Sequence, residues 1–240
     1  MSLSLLRILT ATTVVVACTQ SDAAPSSKSS VRTPAAAPVA SVEAAASAST
    51  APRDSISDRA DRGRILGDST AAVWVIMASD FQCPFCKQWH DADFQKVVNA
   101  YVKTGRVRLA FLNMPLGMHQ NALPAAEAAM CASVQNKFWP MHEGLFSTQK
   151  QWEAVPAPAA IFDSLAKSIG VNLNAWHACV RDHLTLPLIQ ADRERVVAAH
   201  VNSTPTFFVG DQTLAGADAN LAQAIDAALG KAPPGKKPAS

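Results

Sequence analysis

The sequence predicts an α/β domain interrupted by a block of helices. A continuous apolar, β-rich run at 73–77 reads as a strand covered on both faces, and 107–112 reads as a second buried strand. The stretch from about 119 to 183 reads as helical, and 206–214 reads as a late hairpin. Strand, helix, strand, helical block, helix, hairpin, helix is the order of an α/β domain with an insertion.

Composition narrows the classes. The 240 residues suffice for one domain plus tails. With 49% hydrophobic and 17% charged residues, the chain is no highly charged disordered polymer. A net charge of +2 leaves no sign of the basic stripe that nucleic-acid binding needs. No apolar run beyond the N-terminus approaches the roughly 20 residues that span a bilayer.

The elements follow in chain order. Residues 1–17 carry one positive charge, Arg7, and then an apolar stretch too short for a transmembrane helix, the pattern of an export signal. Val15-Val16-Ala17-Cys18 resembles the bacterial lipobox, which implies cleavage before Cys18 and its lipidation. Cleavage near Ala23-Ala24, discarding Cys18, is the alternative. Both readings place the protein outside the cytoplasm, where disulfides persist, and leave four of the five cysteines as an even set. Residues 18–57, nearly all Ala, Ser, Pro and Thr after the cysteine, read as a disordered tether. The folded domain is expected over 58–230, with 231–240 as a frayed tail.

Within the domain, a helix is expected from near Cys83, carried by Phe94, Val97, Val98, Tyr101 and Val102 and ended by Gly105. Pro124, Pro140 and Pro156 are expected to break the helical block. A further helix is expected over about 188–199. After the hairpin, whose turn is Gly210-Asp211, a closing helix runs over 217–229 with Gly230 at its end.

Cys83-Pro84-Phe85-Cys86 follows a predicted strand and opens a helix. A thiol there faces unpaired backbone N–H groups and the positive end of the helix dipole. Both favour thiolate, so Cys83 is expected to ionise easily. Pro84 fits the first helical turn, where its missing N–H costs nothing. Cys86, one turn on, can close a disulfide on Cys83. Half of a zinc site is the other reading, and no second C-x-x-C supports it.

Asp80-Phe81-Gln82-Cys83-Pro84-Phe85-Cys86-Lys87, with Thr204-Pro205-Thr206-Phe207-Phe208-Val209-Gly210, resembles the DsbA-like thiol–disulfide oxidoreductases of the thioredoxin superfamily. The resemblance covers about 62–230. It implies a thioredoxin-like fold with an inserted helical domain over about 118–186. It also implies a cis peptide before Pro205, with Thr204 and Pro205 beside the cysteines and able to pair with an extended client. It implies a redox-active pair, Cys83 and Cys86, tuned by Pro84 and Phe85, and no other cofactor and no metal.

Ala128-Ala129-Met130-Cys131, Phe138–142 and Trp176-His177-Ala178-Cys179 resemble the family's insertion, where some members carry a second disulfide. A Cys131–Cys179 bond is implied; two buried free thiols are the alternative. In the strand before the active site, Met77 stands where the family usually has an acid, which puts its proton relay in doubt. Asp80 is read instead as holding the loop. His90, four residues after Cys86, is read as exposed beside Asp91. His119 and His142 are read as packing or capping residues, and Trp89, Trp139 and Trp152 as core or rim aromatics.

The resemblance implies a protein-disulfide oxidoreductase; Pro84-Phe85 differs from the Pro-His of strongly oxidising relatives, which leaves the direction open, and the low-complexity N-terminus, with no evident dimerisation domain, favours a monomeric oxidase over a reductase or isomerase. It would sit on the periplasmic side of the envelope, held by the lipid. Its partners would be exported cysteine-containing proteins and a membrane redox partner, either a quinone-linked oxidase or a thiol reductase. The rival readings are a thioredoxin-fold copper carrier using the same thiols, with His90 as a further ligand, and a non-catalytic module keeping a static disulfide.

Overall fold

In the computed structural model, which describes residues 54–231, order begins at a capping box. The Ser55 hydroxyl accepts from the Asp58 amide at 3.0 Å, and the Asp58 carboxylate accepts from the Ser55 amide at 3.1 Å. This opens α1 (Ile56–Gly63). The folded region therefore starts slightly earlier than 58. The signal segment, Cys18 and nearly all of the tether lie outside the described residues, as does the tail after Lys231.

The strand β1 (Ile65–Leu66) is followed by β2 (Val73–Ser79). Helix α2 (Pro84–Trp89) runs on through a π-helical turn, His90–Phe94, then α3 (Gln95–Val97) and a second π turn, Val98–Val102. β3 is Val107–Asn113. The inserted helices are α4 (Ala122–Ser133), α5 (Phe138–Ser147), α6 (Gln149–Trp152), α7 (Ala159–Ser168) and α8 (Leu173–Arg181). Then come α9 (Leu186–Ala198), β4 (Thr206–Val209), β5 (Gln212–Ala215) and α10 (Leu221–Lys231).

The sheet order is β1-β3-β2-β4-β5. Central β2 runs parallel to β3 and antiparallel to β4, so Met77 lies opposite both Phe111 and Phe207. Val73, Val75 and Met77 point into the main core. The opposite face is only partly covered, unlike the expectation from the apolar run. Trp74 is 38% exposed there, with the Arg108 guanidinium 4.3 Å above its ring. This pairing lets a bulky aromatic remain at the surface.

Two prolines do not act as breaks. Pro124 and Pro140 are each the third residue of their helix, α4 and α5. A first-turn N–H has no acceptor within its helix, so its loss costs no bond there. Pro156 does lie between α6 and α7. The closing helix starts at Leu221, after Asn220 accepts from the Gln223 amide at 3.3 Å, and Gly230 lies inside it.

Cys131 of α4 and Cys179 of α8, 48 positions apart in sequence, form a disulfide with Cα atoms 5.8 Å apart. Closing such a loop stabilises by about 4 kcal/mol in the chain-entropy picture. A buried ion pair, Arg64–Asp192, joins the end of α1 to α9. The Asn113 amide and side chain also donate to Asp192, at 3.1 and 2.9 Å, which fixes α9 on the end of β3.

Candidate active site

Cys83 sits at the start of α2 in extended backbone geometry, and Pro84 is the first helical residue. Both cysteines are in the dithiol form and buried. Phe85 stands out between them, 59% exposed. The Cys83 thiol is lowered to about 6. A hydrogen bond from Cys86 contributes most, against the cost of burial. The Thr204 side chain and the backbone N–H groups of Cys86 and Phe85 add to it. Burial pushes the Cys86 thiol well above its ordinary value, and the neighbouring Cys83 raises it further. One sulfur is therefore set to carry the charge and the other to keep its proton.

Thr204–Pro205 is a cis peptide. The Cys83 Sγ donates to the Thr204 carbonyl at 3.5 Å. The Thr204 hydroxyl is buried and otherwise unpartnered, which leaves it available to an ionised Cys83. The fold thus brings 83–86 and 204–205 together across the β2–β4 pairing.

Met77 is buried in the core, and no carboxylate occupies its strand position. Asp80 is committed to the loops. One oxygen accepts from the Gln82 amide at 2.7 Å; the other accepts from the Leu116 amide at 2.9 Å and meets His119 Nδ1 at 2.7 Å. His119 thus belongs to a loop ahead of α4, paired with Asp80.

His90 is not exposed, which corrects the expectation. It is 7% exposed, packed against Phe94, Phe146 and His142, because its N–H donates to the Cys86 carbonyl and so sets it one regular turn after buried Cys86, on the same inward face. Its Asp91 contact is present at 3.1 Å, and Glu143 takes its other nitrogen at 3.0 Å. Both ring nitrogens thus face carboxylates, and neither is free to join the thiols as the further ligand of the copper reading. Among the described residues no cluster of three or more His, Cys, Asp or Glu is arranged to hold a metal. His142 packs in an aromatic box of Phe81, Phe94, Phe111, Phe138, Trp139 and Phe146. Neither of its ring nitrogens has a partner, and burial holds its pKa well below the usual histidine value. Trp89 and Trp152 are core residues, and Trp139 is partly buried against the core.

Sequence reasoning missed the clamp on the dithiol loop. Gln149 of α6, fully buried, donates to the carbonyls of Phe81 at 2.7 Å and Cys83 at 3.2 Å. The Gln82 side chain accepts from the Asn121 amide and donates to the Glu153 carbonyl, both at 2.7 Å. Gln149, Asn121 and Glu153 belong to no motif, and only the packing of the insertion onto the loop reveals them.

Comparison with known proteins accords with this geometry. The chain is 33% identical over 150 residues to the Na(+)/H(+) antiporter NhaA 3 of Salinispora tropica, covering 62% of this chain but only 22% of the antiporter. It is 24% identical over 152 residues to disulfide bond formation protein D of Bacillus subtilis, covering 62% of this chain and 68% of that protein. Its fold is similar to that of oxidised BdbD from Bacillus subtilis, with a TM-score of 0.64, 24% identity, and coverage of 70% and 94% of the two chains. It is also similar to alpha-DsbA1 of Wolbachia pipientis, with a TM-score of 0.63, 21% identity, and coverage of 70% and 91%. Residues 59–227 match the family described as Thioredoxin, and with that span carrying both the cysteine pair and the cis-proline loop, the chain belongs to the thioredoxin family.

Proposed function

We propose that this protein is a protein thiol–disulfide oxidoreductase of the cell envelope, working as an oxidase on exported clients. The observation that carries this reading is the split between the two sulfurs: Cys83 lowered to about 6, Cys86 pushed the other way. The resemblance to disulfide bond formation protein D supports it.

In the oxidised protein Cys83 and Cys86 are bonded. A client thiolate attacks the Cys83 sulfur; that S–S bond breaks and Cys86 leaves with the electron pair, taking up a proton. A second client thiolate attacks the client sulfur of the mixed disulfide and expels Cys83 as thiolate. Two client thiols have lost two electrons and two protons, and the protein dithiol has gained the electrons. A stabilised Cys83 thiolate makes the second departure easy, which favours disulfide donation. The Thr204 backbone beside the sulfur suits an extended client strand. Among the described residues no helix is long and apolar enough to cross a membrane. In this reading 1–17 is removed, Cys18 carries the lipid, and the tether holds a monomeric domain off the membrane. A membrane redox partner restores the disulfide.

The test is the redox equilibrium of the Cys83–Cys86 pair against glutathione, with exchange onto a two-cysteine peptide and Cys83→Ser as control. A potential near about −120 mV is expected. A value near about −270 mV would make the protein a reductant, and no exchange with the peptide would remove the enzyme reading.

A further inference from the structure

Beside Cys83 lies a groove of about 400 Å³ lined by Phe85, Ser203, Thr204 and residues 215–219. Its floor is built from small residues, Ala215, Gly216, Ala217 and Ala219. Gly216 has φ +98°, and a Cβ placed there would meet nothing within 4 Å. The groove is thus open above the floor, with room for a long side chain.

Two features of its walls recognise a cation. Asp218 is exposed and is the only charged residue among the groove's lining residues. Gln88 Nε2 donates to its Oδ1 at 3.3 Å, which holds the carboxylate at the groove. Phe85 presents a 59% exposed ring on the same groove. The lysines on the neighbouring helix are already engaged, Lys87 with Asp91 at 2.8 Å and Lys96 with Asp93 at 3.0 Å. They do not neutralise Asp218.

We propose that this groove selects client segments with a basic side chain, arginine above all, next to the reacting cysteine, and that Asp218 is the residue that sets this preference. The inference rests on the exchange activity proposed above and names its substrate class. A planar guanidinium can lie on the Phe85 ring while its N–H groups meet the Asp218 carboxylate. An ammonium makes the second contact with poorer geometry. A glutamate at the same place meets only repulsion. Asp218 acts on which client docks, and the sulfur chemistry stays with Cys83 and Cys86.

The test uses three two-cysteine peptides, identical except for Arg, Ala or Glu beside the first cysteine. The readout is the second-order rate at which each reduces the oxidised protein. The Arg peptide is expected to react about fivefold faster than the Ala peptide, the scale of one exposed ion pair, and the Glu peptide slower than both. The spread should shrink in about 1 M salt, where the screening length falls to about 3 Å. Asp218→Asn should remove the preference, and Asp218→Lys should reverse the ranking of the Arg and Glu peptides. Equal rates for the three peptides, or an unchanged ranking in Asp218→Lys, would overturn the proposal. Failure of the Ala peptide to react at all would instead overturn the exchange reading on which it rests.

Discussion

The Cys83 sulfur and the Thr204 carbonyl oxygen, 121 residues apart in sequence, meet at 3.5 Å in a hydrogen bond. In the proposed exchange, that contact sets where a client backbone would lie, because the reacting sulfur and the strand edge share it. It also places the buried Thr204 hydroxyl among the groups that favour the Cys83 thiolate.

Thr204→Val removes that hydroxyl and keeps the shape. The Cys83 titration midpoint, read from thiolate absorbance, should rise from about 6. A hydrogen bond to a charged group contributes about 1.5 kcal/mol, so the equilibrium constant against glutathione should shift toward the disulfide by up to about tenfold. The pH dependence has a definite sign. A thiol lowered in the folded state stabilises the reduced protein fully above the unfolded value of about 8.5. That contribution disappears as pH falls through about 6. Denaturant unfolding of reduced wild type and Cys83→Ser should therefore differ more at pH 8.5 than at pH 5. An unchanged difference would count against the thiolate.

Gln149→Met keeps the volume of a buried side chain but removes both donations to the Phe81 and Cys83 carbonyls. The dithiol loop should relax, and the backbone N–H groups of Phe85 and Cys86 should lose their aim at the sulfur. The expected result is a higher Cys83 midpoint and a slower attack of the reduced protein on a model disulfide at pH 6, while the rate at pH 9, where Cys83 is ionised in both, changes little. A variant that only loses thermal stability, with the midpoint unmoved, would show that Gln149 merely packs.

His142 is fully buried and neutral, with burial and the nearby His90 both holding its pKa down. The unfolded chain takes up a proton below about 6.5, and the folded one resists it. Stability is therefore full above that value and declines as pH falls below it. His142→Phe removes two unpaired buried nitrogens. The variant should match or exceed wild type at pH 7.5, and its advantage should widen at pH 5. Denaturation midpoints at the two pH values check this, and a constant gap would refute it.

Strand β1 was legible only in the structure, and the sequence by itself determined strands β2 to β5, the active-site helix and the cysteine pair. Each is written in local signals: apolar runs, a proline in a first helical turn, thiols at a helix start. Resemblance then joined Thr204-Pro205 to Cys83 and Cys131 to Cys179, and the structure places each pair together. His90 lies one regular helical turn after buried Cys86, on the same inward face, and reading it as exposed gave its charged neighbour Asp91 too much weight. The capping box at Ser55 was legible as Ser-x-x-Asp but was absorbed into a low-complexity stretch. The clamp by Gln149, the Asp80–His119 pair and the Asp218 groove were decided only by tertiary structure. Each depends on side chains far apart in the chain, and such contacts exist only once the helical insertion and the hairpin loop have packed around the dithiol.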